Sequence, residues 1–166
     1  EKSQVFGGWP ARNGVSAALV IQIGGTGVDD IMTGSDNFIM AFNPSADPEK
    51  LVEQLGTRFE VSRTNIKKWT VGSPIQAPLD ALELMRKKKP FEAAQVQKVV
   101  VRVAPNDANT VNNREMPDIC LQHMVAVMLL DKTASFAAAH DKPRMQDAAV
   151  LRQRAKIQLT PDEELA

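Results

Sequence analysis

The sequence has 166 residues, 43% hydrophobic and 24% charged, and its 20 basic side chains balance 20 acidic ones to a formal net charge of zero. That length supports one ordinary core, and the neutral balance argues against a phosphate backbone as principal partner, so nucleic acid is not expected. No charged-then-apolar leader opens the chain, no apolar run approaches the roughly 20 residues of a membrane helix, and the single Cys120 excludes an internal disulfide and cannot by itself hold an iron–sulfur cluster.

In chain order, Pro10 to Ile23 reads as a helix, with proline near its start and Gly24-Gly25 after it. Gly24-Gly25-Thr26-Gly27 lacks the endings of both nucleotide-binding glycine loops and follows a helical pattern, so it reads as a helix stop. Asp29 to Phe42 predicts a short helix, a turn, and a second short helix or strand. The loop Asn43 to Pro48 is the expected domain boundary, and Asp47 can cap a short helix from Pro48 to Leu55. After Gly56 the texture turns toward strands, first around Phe59 and Val61, then from Ile66 to Val71.

Ser73-Pro74-Ile75-Gln76 has the spacing of a capping box. It predicts a helix to about Lys88, disturbed at Pro78, with Leu79, Leu82 and Met85 inward. Arg86 to Lys89 suit the negative end of that helix. Gln95 to Val103 is the clearest strand, with Val99, Val101 and Val103 on one face. A polar loop from Pro105 to Glu115 is expected to follow. Pro117 to Leu130 is apolar nearly all round, which predicts a buried helix with Cys120 as a buried, reduced thiol. A helix from Arg144 to Arg152 and a strand from Lys156 to Leu159 complete the pattern. Strands and helices mix without strict alternation, so the expected fold class is α+β: a helical segment at 1–47, then a small sheet packed with helices at 48–166.

Three residues are candidates for chemistry by their own setting. Lys67, at the end of an extended segment before a marked helix start, can clamp a carboxylate if partly desolvated, or stand as an exposed strand lysine. His123 can exchange a proton near neutral pH, or be a core histidine bonded to a carbonyl. Arg12, at a helix start where free backbone donors favour anions, can grip a carboxylate or face water. Gln76 and Ser73 are explained by the capping box, and His140 gets no role. Two distant histidines and one cysteine show no metal-ligand spacing, and neither metal nor cofactor is expected.

The segment Ile66 to Leu82, in which a lysine, a basic residue and an aromatic precede a helix of the form hydrophobic-x-Ala-x-x-Asp-Ala, resembles a segment of the MmgE/PrpD family. Two further blocks agree in order and rough spacing: Gly8 to Leu19 and Gln122 to Asp131. Enzymes of that family include 2-methylcitrate dehydratase, cis-aconitate decarboxylase and an iminodisuccinate epimerase. The resemblance implies carbon-acid chemistry on small polycarboxylates without a metal, by an enzyme that is homodimeric at full length, and the single reduced cysteine points to a cytoplasmic setting. It places Lys67 in the active site and Lys2, one residue out of register, near a second family lysine. A family position that can hold histidine falls on Phe6, and His123 stands where the decarboxylases carry tyrosine. Family members are usually longer, with a large helical domain ahead of the matched region, so the chain reads as a C-terminal portion. Dehydration of a 2-methylcitrate-like hydroxy acid is the leading expectation. A catalytically silent assembly domain, a decarboxylase and an epimerase are the alternatives.

Overall fold

A computed structural model describes residues 4–166. These divide into two compact units, the first ending at Arg63 and the second running from Thr64 to Ala166. The loop at 43–48 lies inside the first unit.

In the first unit a π-helical turn, Gln4–Gly8, leads into α1 (Trp9–Gln22) with Pro10 in its opening turn. The helix stops where the glycines require it. Gly24 takes φ 93°, its N–H donates to the Ile21 carbonyl, and the Gly25 N–H reaches back to Val20 at 2.9 Å. A Cβ on Gly25 would stand 2.6 Å from Val20 Cγ1, so the close return of the chain needs glycine there too. The stretch 29–42 keeps only its second expected element, the short helix α2 (Phe38–Phe42), capped by Asn37, whose Oδ1 accepts from the Met40 N–H. The first is replaced by a turn in which Asp30 accepts from the Met32 and Thr33 N–H groups, an alternative to helix that aspartate readily offers its own backbone. Asp47 caps as expected, but the element it starts is a 3-10 helix, Pro48–Leu51.

The strand expected around Phe59 and Val61 is a 3-10 turn, Glu60–Arg63. Alternation alone does not make a strand without a partner. Here local bonds take over: the Ser62 hydroxyl donates to the Phe59 carbonyl, and Glu60 pairs with Arg58 and Arg63.

The second unit is an α+β layer built around one apolar helix. Its elements are α3 (Ser73–Lys88), β1 (Val99–Val103), α4 (Pro105–Val111), α5 (Leu121–Asp131), α6 (Phe136–His140), α7 (Ala148–Arg154) and β2 (Ile157–Pro161). Every residue from Leu121 to Leu129 is buried, because α5 is apolar on all sides and is enclosed by α3, α7 and β2. The strands pair in parallel, Val99 beside Ile157 through Val103 beside Pro161. Parallel pairing demands a crossover, and α4 to α7 supply it, carrying α5 beneath the sheet. Val99, Val101 and Val103 are the more buried of the β1 residues, as the alternation predicts.

The segment 105–115, expected as a polar loop, begins with α4. Pro105 presets its first turn, and Ala108 and Val111, three residues apart, are both buried. Two apolar positions at helical spacing were enough.

α3 passes through Pro78 unbroken and buries Ile75, Leu79 and Leu82, while Met85 is exposed and not inward. Its basic C-terminus does more than meet a dipole. Arg86 donates to the Met128 and Leu129 carbonyls at the end of α5, adding to the bond that the Lys132 N–H already gives Met128.

Candidate functional site

The segment before α3 is extended in side-chain pattern, with Trp69 and Val71 buried and Lys68 and Thr70 exposed, yet it joins no sheet. A side chain stands where a neighbouring strand would be. Gln76 Oε1 accepts from the Trp69 N–H at 3.0 Å, while its Nε2 donates to the Trp69 carbonyl at 2.7 Å and the Val71 carbonyl at 3.2 Å. The expected capping box is therefore absent. Gly72 is the N-cap, no side chain caps the helix, and Ser73 is its first residue. Gly72 N–H donates instead to the Asp118 carbonyl, fixing the segment's far end.

Gln76, Asp80, Glu83 and Lys87 recur at helical spacing and form a polar stripe on α3. Asp80 Oδ1 accepts from the Trp69 indole N–H at 2.9 Å and lies 3.1 Å from Lys68 Nζ. Glu83 holds Lys68 at 2.7 Å and Lys87 at 2.9 Å, and the Lys68 ammonium also sits 4.6 Å from the Trp69 ring centroid. Hydrogen bonds from Lys68, then from Trp69, lower the Asp80 pKa; bonds from Lys68, then Lys87, lower that of Glu83. Donation to Glu83 first, and to Asp80 next, raises that of Lys68. Lys68 is consequently a structural cation, neutralised twice.

Lys67, one residue earlier, is arranged differently. It is exposed, it has no carboxylate partner among the described residues, and its Nζ donates to the Val71 carbonyl at 3.3 Å, the oxygen that also receives Gln76. An ammonium group steered by one long bond to a neutral acceptor has two further donors for an anion.

His123 does not join this group at any surface. Its ring is completely buried, neither nitrogen has a hydrogen-bond partner, and burial, followed by repulsion from Arg154 and Arg144, lowers its pKa to about 4. His123 thus sits as a core histidine: Leu121 to Leu129 of α5 are all buried, position 123 among them. A carbonyl partner is missing as well. Its neighbour Gln122 is satisfied, bonding Asn112 Oδ1 at 2.7 Å and the Asn113 N–H at 2.9 Å. Cys120, at the N-cap of α5, is a free and buried thiol.

Arg12 lies in the first unit, exposed in the opening turn of α1. Lys2 lies outside the described residues. Phe6 is exposed within the opening π-helical turn. Among the described residues no group of three or more His, Cys, Asp or Glu side chains could hold a metal ion, and no helix is long and apolar enough to cross a membrane.

An open apolar groove of about 1040 Å³ runs between α3 and β1, floored by Val125 and Leu129 and lined by Met85, Phe91 and Val100. Neither Lys67 nor His123 reaches it. Gln76 and Asp80 carry the ordering of the Lys67 segment, whereas the sequence pattern assigned Gln76 to a helix cap and gave Asp80 no role. Their signal was the stripe at spacings of four, three and four along α3.

Residues 69–166 match the family model described as MmgE/PrpD C-terminal domain. The match takes in Trp69, the whole α3 stripe and His123, and begins two residues after Lys67. No curated protein matches the chain.

Proposed function

The chain belongs to the MmgE/PrpD family, and from that premise we propose that it supplies a carboxylate-holding part of a lyase acting on small polycarboxylates, with dehydration of a 2-methylcitrate-like hydroxy acid as the reaction. The observation that carries the proposal is the contrast between adjacent lysines. Lys68 is consumed by Asp80 and Glu83, whereas Lys67 is held at the start of the same ordered segment with no anionic partner among the described residues.

In the proposed reaction a base removes the proton on the carbon next to a carboxylate. The electron pair left behind forms a carbon–carbon double bond as the neighbouring carbon–oxygen bond breaks, and the hydroxide departs with a proton as water. Negative charge grows on the carboxylate as the C–H bond breaks, and Lys67 offsets it there. Arg12 and Lys2 are proposed as further carboxylate-binding residues. The proton is taken by His123 or by another group, and the enclosure of the His123 ring favours the second.

Deuterium uptake by NMR tests this, with the protein in heavy water and citrate, 2-methylcitrate, cis-aconitate or a dicarboxylate. Exchange or product formation lost in Lys67→Ala and kept in Lys68→Ala is the expected result. Turnover that survives Lys67→Ala removes Lys67 from the chemistry. Decarboxylation and epimerisation share the first step and are told apart by the product.

The open groove between α3 and β1 favours a second reading, a catalytically silent domain serving assembly, including the homodimer. An exchange-free result with every acid, together with concentration-dependent self-association, would support it.

A further inference from the structure

We propose that Gln76 is the positioning residue for Lys67, a claim that rests on the reading of Lys67 as a carboxylate ligand. The segment 67–71 has no strand beside it, and extended backbone left to itself does not keep one conformation. Gln76 replaces the missing strand with a two-way bond to Trp69 and a third bond to Val71. The Val71 carbonyl thus receives two donors, Gln76 Nε2 at 3.2 Å and Lys67 Nζ at 3.3 Å. That shared oxygen links the amide to the ammonium. Gln76 itself is set by α3, whose Ile75 and Leu79 on either side of it are wholly buried. A rigid helix therefore fixes the amide, the amide fixes the carbonyl, and the carbonyl aims the ammonium. The primary amide serves as both donor and acceptor to one backbone residue; neither a carboxylate nor a thioether of the same length supplies both.

The test uses citrate as probe, with the Lys67 ammonium resonance in ¹⁵N-labelled protein as a direct readout and calorimetry for affinity. Gln76→Met removes all three bonds. It should move the Lys67 resonance and weaken citrate binding by about tenfold or more, as misplacement of a binding group does. Gln76→Glu leaves the acceptor for Trp69 and sets a carboxylate near the shared carbonyl, where it draws in the Lys67 ammonium. Citrate affinity should fall further than in Gln76→Met, and the loss should ease as pH is lowered and the glutamate protonates. A purely structural role predicts a change in stability with the Lys67 resonance unmoved. Should Gln76→Met fail to fold, the Lys67 resonance and citrate affinity of Gln76→Glu, each compared with the wild type at the same pH, decide.

The two claims fail differently. If Lys67→Ala loses citrate while Gln76→Met binds it like the wild type with the Lys67 resonance unmoved, the positioning role is overturned and the reading of Lys67 stands. If Lys67→Ala binds citrate normally, the reading of Lys67 is overturned and the positioning role falls with it.

Discussion

Protonating His123 should unfasten the second unit, because its ring is enclosed and neither nitrogen is bonded. Burial first, and the cations Arg154 and Arg144 next, lower its pKa from 6.5 to about 4, against a small opposing pull from Asp141. The folded value lies below the unfolded one. The stabilising contribution of the neutral ring is therefore present above about pH 6.5 and is lost as pH falls through about 4. At about 1.4 kcal/mol per unit the complete loss is about 3 kcal/mol, of which about 2 kcal/mol falls between pH 7 and pH 5. The assay is urea unfolding of the wild type and of His123→Leu at intervals across that range. Every other titrating group is common to both proteins, so their difference isolates His123. Near neutral pH the variant should match or exceed the wild type, since two buried polar atoms without partners are removed. The variant should then gain on the wild type steadily as the solution is acidified. Parallel stability curves from pH 7 to pH 5 would refute the reasoning and show that the ring finds solvent or a partner when it charges.

Two further outcomes check the framework. Leu129→Ala, at a position only 1% exposed in the middle of the core, should cost about 2–5 kcal/mol by denaturant unfolding, and a loss below about 1 kcal/mol would mean α5 is not the central helix. Gly24→Ala, which forces a side chain into φ 93°, should cost about 1 kcal/mol locally and speed amide exchange at Gly24 and Gly25; unchanged protection would contradict the helix-stop geometry.

Periodicity told most where one element satisfied itself or faced a single environment. β1 showed its alternation, α5 its all-round apolar surface, and α1 its glycine stop, because each signal lies within a few residues of chain. Signals that need a partner were read less well. The alternation at 59–61 and 66–71 looked like strand, but the one sheet among the described residues pairs β1 with β2 and includes neither segment. Ser73 and Gln76 had the spacing of a cap, yet Gln76 found a better use in Trp69 and Val71. The candidate site divides the same way. Lys67 was legible through the resemblance of its segment, whereas the locking of that segment by Gln76 and Asp80 was not.

By itself the sequence determined which helix would be central, which residues of β1 would face inward, where α1 would end and which family the chain joins, since local pattern and short motifs are written in consecutive residues. Only the tertiary structure decided that β1 and β2 run parallel and that Met85 faces outward. It likewise decided that Lys68 is neutralised while Lys67 is not, and that His123 is sealed in the core. Each of those depends on what a distant segment brings alongside: the crossover that returns β2, the rotation of α3 on α5, the carboxylates of α3, and the helices enclosing α5. Solvent access and pairing belong to neighbours in space, and a single chain of letters orders neighbours only along its length.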